Sequence, residues 1–171
     1  MFSDERMGDA FLPALARMPK GGGLVFRHYA LPHPDRHALF IAARRIARAR
    51  RIVIVLAGTD QQARAWRADG VHGRAGGRGH GDQWRTAPVH NQRELVAARR
   101  IAVDLVFISP VFATRSHPGT RTLGIRGFEA LARAYLGVAI ALGGMNARRA
   151  RKLRHADGWA GIDNWLPAPP T

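Results

Sequence analysis

DLVFISPVFATRSHPGTRTLGIRGFEALARA, residues Asp104–Ala134, is the stretch on which the fold turns. Asp104–Ser109 is a short, nearly continuous apolar run, the pattern of a strand buried on both faces. Arg126–Tyr135 has the composition of a helix. The connection between them carries Thr114, Ser116 and His117 beside Arg115 and Arg121, so hydroxyl and cationic donors gather where a diphosphate can be held. At the end of a strand, such a loop is a candidate binding element rather than plain polar surface.

The same alternation of strand and helix extends in both directions. Upstream, Gly23–Tyr29 reads as a strand and Pro34–Arg51 as a helix with Leu39, Ala42, Ala43, Ile46 and Ala49 on its inner face and Arg44, Arg48 and Arg51 solvated. Ile52–Ala57 is a β-branched buried strand, Asp60–Ala68 a helix, Gly70–His72 a short strand, and Gly73–Gly81 too glycine-rich to be either. Thr86–His90 is a strand, and Asn91 caps the helix Gln92–Ile101 with Glu94 in capping-box position. Downstream, Val138–Leu142 is a strand, Asn146–His155 a helix capped by Asn146, and Gly158–Ile162 a last strand. Such an order predicts parallel strands joined by helical crossovers, with the ligand at the strand C-termini. A short strand at Met1–Ser3 makes eight, which points to a compact TIM (β/α)8 barrel. Because such barrels usually need about 250 residues, this α/β fold is expected to be curtailed at both chain ends. A doubly wound open sheet is the competing arrangement. Residues 1–165 are expected to form a single domain and 166–171 a Pro-rich tail.

Composition narrows the chemistry. The chain has 171 residues, 46% of them hydrophobic and 23% charged, enough for one core and too apolar for wholesale disorder. Without cysteine there is no disulfide, thiolate metal site or thiol nucleophile. The apolar runs Leu105–Ala113 and Val138–Met145 fall short of the roughly 18 residues of a membrane helix. Asp4 and Glu5 stand where a secretory signal carries basic charge, so a cytoplasmic protein is expected. The net charge is +15, but Lys20 and Lys152 are the only lysines and the arginines are dispersed, so the basic surface is read as solvated, without a specific nucleic-acid site. Self-association is left open.

Asp104–Ala134 closely resembles the thiamine phosphate synthase/TenI (thiazole tautomerase) family, whose pattern there is a strand, Gly-Pro-Val-Phe, Thr-x-Thr-Lys, then Gly-Leu opening a helix. ADGVHGR (Ala68–Arg74) is similar to the family's Gly-Ala-Asp-Gly-Val-His-Leu-Gly-Gln, and VAIALGGMN with WAGIDNW to its last two strands. The order holds from about Ser3 to Trp165. The resemblance implies a TIM barrel that binds phosphorylated thiazole and pyrimidine precursors of thiamine.

The departures from that pattern bear on chemistry. Of the family's Val-Gln-Leu-Arg-x-Lys only Arg27 is kept. Leu56-Ala57-Gly58 stands where the family's Asn-Asp-Arg helps hold magnesium, and the second acidic ligand is missing from Gly73–Gly81, with Asp82 as a substitute that no spacing supports. His117 replaces the lysine of Thr-x-Thr-Lys, and Asp163 replaces a phosphate-binding serine, an acid that repels phosphate unless a cation pairs with it. Gly143 and Gly144 allow close backbone approach to a phosphate ester, or serve simply as a tight turn. Pro88-Val89-His90 keeps the histidine of the family's Ser-x-His, an imidazole suited to moving a proton at neutral pH. Catalysis is thus expected at His90, and phosphate or substrate binding at Arg27, Thr114, Ser116, His117, Gly143, Gly144 and Asp163. No metal ligand is assigned, and Mg2+ is required only for an active synthase. Three readings follow: a thiamine phosphate synthase, a metal-free tautomerase using His90, and a non-catalytic barrel that binds phosphorylated ligands.

Overall fold

The computed structural model describes residues 1–73, 83–115 and 119–165, and in it strand and helix alternate as expected. The strands are β1 (Gly23–Phe26), β2 (Val53–Ala57), β3 (Gly70–His72), β4 (Trp84–Val89), β5 (Leu105–Ile108), β6 (Val138–Ala141) and β7 (Gly158–Trp159). The helices are α1 (Phe11–Arg17), α2 (His33–Ala49), α3 (Asp60–Ala65), α4 (Gln92–Arg100), α5 (Gly124–Arg133) and α6 (Ala147–Ala150). Strand order in the sheet follows chain order from β1 to β7, and the pairs with described register are parallel. A doubly wound sheet reverses its strand order at a switch point. The fold is therefore the curtailed TIM-type α/β arrangement. The expected first strand at Met1–Ser3 is reduced to a parallel bridge between Phe2 and Val25, flanked by the bonds Ser3 N to Val25 O and Val25 N to Met1 O, each 2.9 Å.

Two compact units divide the chain. The first comprises Met1–Val71 with the segment beginning at Ile162, and its aromatic core stacks Phe26 edge-on against Phe40 at 5.3 Å and beside Phe11 at 6.0 Å. The second, His72–Gly161, is built on Val89, Val106, Ile108, Leu95 and Phe128, all fully buried. Three aspartates serve as staples at strand beginnings. Asp69, Asp104 and Asp157, each just before a strand, accept from the backbone N–H of Ile54, Arg85 and Ala139 on the preceding strand, at 2.7–2.8 Å. Among the described residues, no helix is long and apolar enough to cross a membrane.

Several expected elements differ in extent. The helix expected over Asn146–His155 keeps its cap, Asn146 Oδ1 accepting from Arg149 N at 2.9 Å, but ends at Ala150. Glu129 of α5 binds Arg154 N and the His155 ring and draws the following chain out of the helix. The last strand stops at Trp159 because its neighbour β6 ends at Ala141. Helix α1 was not anticipated; Pro13 sits in its first turn, where no N–H is needed, and Phe11, Ala14 and Leu15 are buried. On α2 the buried stripe is Arg36, Phe40, Ala43 and Ala47, rotated from the expected one. Arg44, expected to be solvated, donates to Trp66 O at 2.9 Å.

Candidate functional site

In the His72–Gly161 unit the ends of three strands lie side by side, with Val89 paired to Ile108 and Ile108 to Ala141. Ser109 N continues the ladder to Val89 O and Leu142 N to Ile108 O, both at 3.0 Å. The loop after β5 then folds onto the turn after β6: Val111 N donates to Leu142 O at 2.9 Å and Phe112 N to Gly143 O at 3.1 Å. Only glycine suits this turn. Gly143 has φ +89° and a Cβ there would lie 2.7 Å from Pro110 Cα; Gly144 has φ +60° and its Cβ would meet Ala113 O at 2.4 Å. The segment packed on the two glycines thus runs to Ala113, the residue before Thr114. A cation that sequence reasoning missed joins them. Arg149, at the start of α6, donates to Gly144 O, and its guanidinium lies 4.8 Å from the Phe112 ring centroid. The Asn146 cap was the available signal, since it fixes Arg149 one helical turn beyond the glycines. Ser116 and His117 lie outside the described residues.

His90 follows β4 directly. Glu94 Oε2 accepts from both the His90 main-chain N and the His90 Nδ1, each at 2.8 Å, while Asn91 Oδ1 caps Glu94 N at 3.0 Å. The expected capping box is thus shifted by one residue: Glu94 reaches back to His90 instead of to the cap. With Nδ1 held by a carboxylate, the plane of the ring is fixed.

The first unit places Arg27 at the end of β1. Its Nη2 pairs with Asp4 Oδ2 at 2.7 Å, its Nε donates to Ser3 O at 2.9 Å, and it lies 5.5 Å from the Phe2 centroid. Burial pushes the Asp4 carboxyl up, but the Arg6 side-chain and backbone hydrogen bonds with the charges of Arg6 and Arg27 outweigh it, leaving Asp4 below its ordinary value. Asp163 opens the short turn Asp163–Trp165. It contributes to the raised pKa of Arg6, whose largest cause is the hydrogen bond with Asp4. The acid at the family's serine position therefore has a cation in electrostatic reach. Next to Arg27, His28 is buried at φ +42°, its Nδ1 2.9 Å from Ser3 Oγ, and burial holds its pKa below the ordinary value. The predicted site residues thus fall into two sets, Arg27 and Asp163 in one unit and His90, Thr114, Gly143 and Gly144 in the other.

Magnesium does not fit the described residues. Leu56 and Ala57, at the family's metal position, are fully buried, and Ala57 O already accepts from Arg36 Nη2 at 2.7 Å. Asp69, Asp104 and Asp157 are held at strand beginnings, away from the strand C-termini. Among the described residues no three His, Asp or Glu side chains gather to hold a metal. Asp82 lies outside the described residues.

The sequence matches the thiamine monophosphate synthase family over residues 3–164. No curated protein matches it. Among solved structures the chain is similar to thiamine phosphate pyrophosphorylase from Pyrococcus furiosus, with TM-score 0.79 and 20% identity over 95% of this chain and 83% of that one. It is also similar to thiamine phosphate pyrophosphorylase from Bacteroides thetaiotaomicron, with TM-score 0.58 and 16% identity over 93% of this chain and 78% of that one. At these identities the structural likeness establishes the fold.

Proposed function

The chain belongs to the thiamine monophosphate synthase family, and we propose that residues 1–165 act as one domain that joins a phosphorylated thiazole to hydroxymethylpyrimidine diphosphate. In that reaction the carbon–oxygen bond to diphosphate breaks, the thiazole nitrogen attacks the resulting pyrimidine cation, and pyrophosphate leaves. The observation that carries the reading is the loop pair after β5 and β6. There Arg149 donates to Gly144 O and the segment before Thr114 packs on Gly143 and Gly144, which supports reading Thr114, the two glycines and Arg149 as the groups that receive a phosphate ester. Arg27, held by Asp4, would orient the diphosphate, and Ser116 and His117 belong to the same phosphate loop by their place in sequence. Asp163, balanced by Arg6, is tolerated beside an anion. No step is assigned to a metal. A second reading, isomerisation of a thiazole carboxylate, is favoured by the His90–Glu94 pair, because an imidazole oriented by a carboxylate suits the transfer of a proton near neutral pH.

The test is to assay thiamine phosphate formation and thiazole isomerisation side by side, with magnesium and with chelator, for the parent chain, His90→Asn and Glu94→Gln. Thiamine phosphate formation that survives His90→Asn supports the transferase. Isomerisation that is lost in His90→Asn and slowed about tenfold or more in Glu94→Gln supports the second reading. Turnover in neither assay removes both and leaves a barrel that only binds phosphorylated ligands.

A further inference from the structure

Arg36 lies on the buried stripe of α2 and is only 8% exposed. Every hydrogen-bond acceptor it meets is neutral: Nε donates to Arg27 O at 2.8 Å, Nη2 to Ala57 O at 2.7 Å and Nη1 to Gln62 Oε1 at 3.4 Å. Aromatic rings stand around it, with centroids at 5.3 Å for Trp66, 5.4 Å for Tyr29 and 5.8 Å for Phe26. No carboxylate among the described residues forms an ion pair with it, and Glu5 acts on it only through its field. Arg27 nearby, by contrast, has Asp4 at 2.7 Å. A guanidinium withdrawn from water without a counter-charge is costly, and carbonyl oxygens and π faces offset only part of that cost. A resident ion pair would be the usual remedy, and the fold does not supply one.

Place and geometry say what completes the arrangement. Arg27 O and Ala57 O are backbone atoms at the C-terminal ends of β1 and β2, the side on which parallel α/β folds meet their ligands. Three of the five N–H groups are engaged, which leaves one on each terminal nitrogen to donate to an anion. Of the three surrounding rings only Tyr29 is exposed, at 63%, so an anion approaches from its side. Leu56 and Ala57, apolar and fully buried, deny that end of β2 a metal-binding carboxylate.

We propose that Arg36 receives the diphosphate of the ligand at the ends of β1 and β2 and supplies there the positive charge that a divalent metal would otherwise bring. This deepens the transferase reading and rests on it for the identity of the ligand. Recognition of diphosphate by this chain is then metal-independent.

Calorimetric titration of pyrophosphate into the full chain in the presence of chelator tests this, with Gln62→Glu and Arg36→Lys as variants and inorganic phosphate as the second probe. Gln62→Glu places a carboxylate beside Nη1 without enlarging the side chain, so it neutralises the guanidinium while the fold keeps or gains thermal stability. The parent is expected to bind pyrophosphate without metal and more tightly than phosphate. Gln62→Glu is expected to bind at least about tenfold more weakly, the loss of one charge-assisted contact, and Arg36→Lys is also weaker because a point charge does not reproduce the fork. Parent-like affinity in folded Gln62→Glu, or binding by the parent that appears only with magnesium, overturns the assignment. Measuring thiamine phosphate formation on the same samples separates the two claims. Arg36-dependent binding without product removes the transferase reading alone, and product formation with unchanged binding in Gln62→Glu removes Arg36 alone.

Discussion

The strand ends of the two units are built on opposite principles. After β5 and β6 in His72–Gly161 the geometry is set by backbone: the two strands end in register, and a turn that only glycine can make locks the next loop against them. In Met1–Val71 it is set by charge: Arg27 and Arg6 share Asp4, while Arg36 is enclosed by carbonyls and rings. Backbone locks are rigid and indifferent to pH. Charge networks respond to acid and to ligands, so substitutions in the two units should leave different signatures.

The largest effect is expected from Gly143→Ala. Its Cβ would lie 2.7 Å from Pro110 Cα at a φ of +89°, so the β5 loop must move; a loss of about 2–4 kcal/mol in urea unfolding is expected. A loss below about 0.5 kcal/mol would show that the loop pair is soft and that the contrast between the units is misplaced.

Asp4→Asn should cost less, about 1 kcal/mol at neutral pH, through the lost charge on its hydrogen bonds to Arg6 and Arg27. Its signature is in acid. The folded-state pKa of Asp4 is depressed, so its contribution is present above the unfolded value and is lost as pH falls through the folded one. The parent should therefore lose stability on acidification more steeply than Asp4→Asn, and equal slopes would remove Asp4 from the charge network.

The smallest effect concerns His28, whose folded pKa is also depressed, by burial. For a base the sense is that the unfolded chain takes the proton first, so stability declines as pH falls from the ordinary imidazole value toward the folded one and levels off below it. His28→Asn, which tolerates the φ of +42°, should lack this decline. Sharpening the comparison, Gly143→Ala should leave the pH profile parallel to that of the parent.

The scaffold around the candidate site was legible because its cues are local. Asn91 and Asn146 announced the helices after β4 and β6, and paired glycines after a buried run announced the turn that carries them. The partners of the charges were not legible. Glu94 looked like half of a capping box and instead holds His90, and Arg149 looked like one arginine among many and instead sits on Gly144.

What the sequence by itself determined was the order and type of the elements, and through them a parallel α/β fold. Apolar periodicity and capping act within a few residues, so they can be read without knowing what packs where. Only the tertiary structure decided which face of α2 turned inward, where α6 stopped, and which arginines met carboxylates. Those outcomes depend on atoms far apart in the chain: Asp4 reaches Arg27, Glu129 reaches His155, and Arg36 reaches Ala57. A long arginine side chain carries its charge well away from its own backbone, so its position in sequence says little about which oxygen it will find.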